Sequence, residues 1–121
     1  MDEVGDLGGR LFPKEKIPTL VKLLEKHGIW LTEGPIGSFD GVRKVMTLPK
    51  NPTVLNVRHE LSHFFDWQKY GDDYYKLFNQ FEREEMVLDR LMRNGWWDKL
   101  NDAECSWSLL YPFTRKGGQT W

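Results

Sequence analysis

The chain has 121 residues, enough for one domain with its own core and no need of cross-linking staples. Hydrophobic residues make up 40% and charged residues 29%, a balance that argues against a disordered or membrane-embedded chain. With 17 basic and 18 acidic side chains the net charge is −1, so no broad basic field is available for nucleic acid, and the single cysteine, Cys105, excludes a disulfide framework or a cysteine-based zinc site.

In chain order, residues 1–9 (MDEVGDLGG) are acidic and glycine-rich and read as a linker or disordered start. They lack the basic and apolar regions of a signal peptide, and no apolar run nears membrane-spanning length, so no membrane insertion is expected. One domain is expected over residues 10–113. Residues 18–27 predict a helix: Leu20, Leu23 and Leu24 share a stripe, Pro18 suits a first helical position and Gly28 follows the end. Strands are expected at 29–34 and 42–48, with turn residues at 36–41 between them. A second helix opens with Asn51 as cap and Pro52 at its first position, runs to Tyr70 and stops at Gly71. A third runs from Asp72 or Asp73 to Arg93. A fourth starts at Asn101, which has capping-box spacing to Glu104, and stops at Pro112. Residues 114–121 read as a flexible tail. The expected fold class is α+β, a small sheet with about four helices. Six Trp, seven Phe and four Tyr predict a core of large flat side chains, with some rings left to line a cleft.

The second helix contains RHELSH, residues 58–63. Positions i and i+4 lie one turn apart, so His59 and His63 can point two imidazoles at one ion. A catalytic Zn²⁺ takes three protein ligands and leaves a position for water. Glu60 is rotated off the ligand face but can reach a water on the same ion, where it would act as general base. That is the chemistry of the HExxH helix. The competing account is a chance match on a solvated helix face. The mid-helix position, the cap before it and the preceding strands favour the metal site.

The third ligand must lie elsewhere. His27, the remaining histidine, ends the first helix and suits a C-terminal charge there better than a ligand. The third helix offers carboxylates. Its apolar stripe runs Leu77, Phe78, Phe81, Leu88, Leu91 and Met92, and Glu84 falls inside it. A carboxylate at a core-facing position is costly unless paired or bound to metal. Glu84 is therefore the first choice and Glu85, on the stripe's edge, the alternative. Asp66 and Asp89 are candidates for carboxylates that orient the histidines, against a plain reading as surface charges. An oxyanion stabiliser is needed, and Tyr70, Tyr74, Tyr75, Arg58 and Tyr111 all qualify.

HELSHFFDWQKYG, YYKLFNQFEREEMVLDRLMRNGWWDKL and NDAE, with the opening GGRLFPKEKIPTLVKLLEKHGIWL, resemble the zincin-like metallopeptidase toxin domains of bacterial polymorphic toxins, over residues 8–110. The resemblance implies a compact minimal zincin fold, with zinc held by His59, His63 and a downstream glutamate and with Glu60 catalytic. In zincins with E-x-E on the second helix, the second glutamate is the ligand; here that is Glu84. It implies that an edge strand before the active helix, residues 42–48, pairs with an extended protein or peptide substrate. It also implies delivery to a target cell as the C-terminal module of a larger secreted protein, and a cognate immunity protein as partner. The expected activity is therefore a zinc endopeptidase acting as a toxin. Two other readings stand beside it: an inactive zincin-like binding module, and a regulatory peptidase acting on the producer cell's own proteins.

Overall fold

A computed structural model describes residues 4–117. The four helices and two of the three strands follow the expected order, and β2 is an addition to it: α1 (Ile17–Glu25), β1 (Trp30–Glu33), β2 (Ser38–Asp40), β3 (Val45–Leu48), α2 (Val54–Tyr75), α3 (Gln80–Arg93) and α4 (Asp102–Gly117). The fold is α+β. β1 and β3 are parallel, with Trp30 opposite Val45 and Glu33 opposite Leu48. β2 runs antiparallel to β3, with Phe39 opposite Met46. The strand order is β1-β3-β2, so β3 is central. The segment expected to be the substrate-pairing edge, residues 42–48, thus has both sides occupied. Only its second half is strand, because residues 41–44 form the turn in which Asp40 accepts bonds from the backbone of Val42 and Arg43. The stretch read as turn, 36–41, contains β2 instead, and β2 is one of the two edge strands, β1 being the other.

α2 is the axis of the molecule. Val57, Leu61 and Phe64 recur at helical spacing and pack with Leu20, Leu24, Ile29, Met46 and Leu48 into one core beneath α1 and the sheet. Leu55 joins Val4, Val87 and Leu91 in a second core. Burial on several sides leaves little room for solvent on α2 as far as Asp66, so polar residues there are buried too, including His59, Glu60, Ser62, His63 and Asp66. Such groups persist inside a protein only when partnered.

The cap of α2 is Thr53, not Asn51. Thr53 Oγ1 accepts from the Asn56 backbone while Asn56 Oδ1 accepts from the Thr53 backbone, a reciprocal pair that closes the helix start two residues later than expected. Helical geometry breaks at Gly71 (φ 78°, ψ 168°), where the chain turns before Asp72–Tyr75. α3 starts only at Gln80, capped by a second reciprocal pair, Asn79 with Glu82. Its buried face is therefore Glu84, Val87 and Leu91, whereas Leu77 and Met92 are 72% and 51% exposed. The Asn101–Glu104 box caps α4 as expected. α4 does not stop at Pro112, which is buried inside the helix; packing outweighs the missing backbone bond. Residues 4–9, expected to be loose, are docked: Val4 is 6% exposed. Of the expected tail, 114–117 belong to α4 and 118–121 lie outside the described residues.

Candidate metal centre and active-site cleft

His59 and His63 point their Nε2 atoms at one carboxylate oxygen of Glu84, at 2.9 and 3.1 Å. Two turns of α2 supply the imidazoles and one position of α3 supplies the acid. All three side chains are almost sealed, with 10% to 13% of their surface exposed. Burial pushes the Glu84 carboxyl upward, but hydrogen bonds and charge from His59 and His63 outweigh it and hold the group well below the usual carboxylate range. Glu84 is thus an anion at any ordinary pH, wedged between two imidazoles.

These groups open on a cleft of about 320 Å³ whose walls also include Ile36–Phe39, Glu60, Tyr75, Arg83, Tyr111 and Arg115. Glu60 is buried at 6% exposure and faces the same space as the cluster. The Tyr75 hydroxyl lies 3.2 Å from His63 Nδ1. Burial first, opposed by Arg83 and reinforced by Asp66, Glu84 and Glu60, raises the Tyr75 phenol far above its usual range, so it stays protonated. The rings of Trp107 and Tyr111 each meet the His59 ring edge-on at 5.6 Å and stack on each other at 4.3 Å. Burial also raises the Tyr111 phenol, offset in part by its bond from Arg115.

The family model for metallopeptidase toxin 4 matches residues 13–116, a span that includes every residue of this cluster and its cleft. The chain belongs to the metallopeptidase toxin 4 family. No curated protein and no solved structure matches the chain. Membership in a metallopeptidase toxin family implies a metal, and the donor set fits one. Around a tetrahedral ion with donors at about 2.0–2.1 Å, neighbouring donors sit about 3.3–3.4 Å apart. The three donor atoms here lie within 4.8 Å of one another, and the two Glu84 contacts are only slightly tighter than that spacing. Among the described residues this is the one His/Cys/Asp/Glu group of this kind.

The other sequence candidates lie elsewhere in the chain. Glu85 is exposed on α3 and outside the cluster. Asp66 does not reach a histidine but pairs with Arg90. Asp89 pairs with Arg93 on the surface. His27 packs edge-on against Phe64 and takes a bond from Gln68. Among the oxyanion candidates, Tyr70 packs on Phe78, Tyr74 is 67% exposed and Arg58 lies over Trp96. Tyr75 and Tyr111 remain at the cleft. Sequence reasoning named Tyr75 as a possible oxyanion donor and missed its contact with His63. The two residues are twelve apart and meet only because of the Gly71 break, a signal that periodicity does not carry. No helix among the described residues is long and apolar enough to cross a membrane.

Proposed function

We propose that the chain is a zinc-dependent endopeptidase of zincin-like architecture, acting as a toxin on a protein substrate in a target cell. The observation that carries this reading is the convergence of two α2 imidazoles on an α3 carboxylate, with Glu60 opening on the same cleft. His59, His63 and Glu84 hold the ion. When bound, zinc supplies Lewis acidity that polarises the scissile carbonyl and eases deprotonation of water at neutral pH.

The chain's own residues supply the rest. With Nε2 given to the metal, His63 carries its proton on Nδ1 and donates it to the Tyr75 oxygen, which fixes the ring. Glu60 takes the proton of the attacking water and passes it to the leaving amine. Tyr111 accepts from Arg115 Nε and Nη2, at 3.0 and 2.7 Å, so its own O–H is left to donate to the developing oxyanion. β2, the edge strand whose residues Ser38 and Phe39 line the cleft, is the one along which an extended substrate pairs. An inactive binding module would have no use for a carboxylate buried at the position of Glu60. Membership in a toxin family favours a foreign target over the producer's own proteins, delivery by a larger protein, and a cognate immunity protein as the safeguard.

Metal analysis and peptide cleavage by three variants test the reading. Glu60→Gln should keep a full complement of zinc and lose activity roughly 10²- to 10⁴-fold. Glu84→Ala should lose the zinc, and Glu85→Ala should retain it. Full activity in Glu60→Gln, or zinc retention in Glu84→Ala with loss in Glu85→Ala, would contradict the assignment.

A further inference from the structure

Two tyrosines flank the two histidines, and each tyrosine carries an arginine. Tyr75, bonded to His63, has the Arg83 guanidinium over its ring at 4.5 Å from the centroid. Tyr111, packed on His59, has the Arg115 guanidinium at 4.9 Å. Both arginines line the cleft. Hydrogen bonds pin them as well: Arg83 Nη2 donates to the Tyr75 carbonyl at 3.1 Å, and Arg115 donates to the Tyr111 hydroxyl.

Among the described residues, neither arginine has a carboxylate partner, whereas Arg43, Arg90 and Arg93 each pair with an aspartate. Arg83 Nε is buried with no hydrogen-bond partner. The cleft's own acids are Glu60 and Glu84, and Glu84 is already met by His59 and His63. Two guanidinium groups therefore stand in a cleft they share with Glu60 and Glu84, and neither is tied to a carboxylate by a direct ion pair among the described residues. A guanidinium fixed by stacking and by one side of its fork loses little entropy on binding. Its remaining N–H donors match a carboxylate.

Resting on the peptidase reading above, we infer that Arg83 and Arg115 select polypeptides carrying a carboxylate close to the scissile bond. The carboxylate is an aspartate or glutamate side chain, or the terminal α-carboxylate of a short product-like peptide. The placement of one arginine beside each histidine favours acidic side chains on either flank of the bond.

The test is cleavage-site profiling of the zinc-loaded protein on a proteome-derived peptide library, in free and C-terminally amidated form, read by mass spectrometry. Asp and Glu should be enriched beside the cut. For a cleaved sequence, kcat/KM should exceed that of its Asn/Gln counterpart roughly ten- to hundredfold. That ratio should fall toward one in Arg83→Gln and in Arg115→Gln, and should hold in Arg93→Gln, which removes a charge already paired with Asp89. The ratio is the readout because a folding defect, or a misplaced Tyr111, lowers both rates alike. Preference that survives amidation assigns the carboxylate to side chains, and preference lost on amidation assigns it to the terminus. Cleavage with no acidic preference, or a ratio unchanged in both arginine variants, overturns the inference and leaves the peptidase reading standing. No cleavage by zinc-loaded protein overturns both.

Discussion

At the scale of single residues, the histidines need orientation as much as they need a metal. A ligating imidazole can rotate about two side-chain bonds, and an outer hydrogen bond stops it. For His63 the acceptor of that bond is the oxygen of Tyr75, a buried and protonated phenol, where many metal sites use a carboxylate. A neutral partner adds no third negative charge next to Glu60 and Glu84. Removing only the hydroxyl isolates its effect, because the ring still fills its place under Arg83. Tyr75→Phe should lower zinc affinity roughly 10- to 100-fold, measured by competition with a chromogenic chelator. Unchanged affinity would show that packing alone orients His63. The i, i+4 spacing makes it legible in the sequence alone that His59 and His63 share one face, and the fold sets both against Glu84. Glu84 is legible as a carboxylate on an apolar face, although the stripe read from the sequence takes in Leu77 and Met92, which the fold leaves exposed. Tyr75 and Tyr111 stand among five equal candidates in the sequence, because nothing local in a chain reports which aromatic ring will fold back onto a given histidine.

At the scale of elements, breaks matter more than helices. Gly71 adopts φ 78° and ψ 168°, a combination essentially confined to glycine. It turns the chain so that Asp72–Tyr75 doubles back and sets Tyr75 on His63. A Cβ at this position would meet no atom within 4 Å, so any cost of alanine there is backbone strain and not collision. Gly71→Ala should destabilise the fold by about 1–3 kcal/mol in urea unfolding, and should weaken zinc binding by displacing Tyr75. A stability equal to wild type would mean that the turn has an alternative path. The stop at Gly71 is readable from composition, but its consequence is not. Other element boundaries follow the same rule. Thr53 and Asn79 each have a polar partner three residues on, yet Asn51 and Asp72 are stronger local signals of a helix start. Pro112 looks like a stop, and burial of its ring keeps it within α4. β2 has three residues between turns, too short for alternation to register.

At the scale of the whole molecule, the site depends on a segment far from it in sequence. Val4 sits in the second core against Leu55, Val87 and Leu91, with Leu7 packed beside them. The Leu7 carbonyl accepts a bond from Asn101 Nδ2 at 3.0 Å, and Gly9 lies so close to the buried Glu104 carboxylate that a side chain there would collide with it. Asn101 and Glu104 are the two halves of the α4 cap. The opening residues therefore clamp the start of the helix that carries Trp107 and Tyr111 to His59. An acidic, glycine-rich composition points to a linker, because composition weighs residues by type and Val4 is only one. Its burial makes the difference: fully burying a valine contributes about 1.5–3 kcal/mol. Deleting residues 1–9 should cost at least that much in urea unfolding, since the Asn101 bond and the Leu7 contacts go with it. Cleavage activity should fall further than stability explains, because a loosened α4 start lets Tyr111 drift from the oxyanion while His59, His63 and Glu84 still hold zinc. An unfolding midpoint equal to that of the intact chain would restore the linker reading. Stability lost with activity intact would show that α4 is held in place by α3 alone.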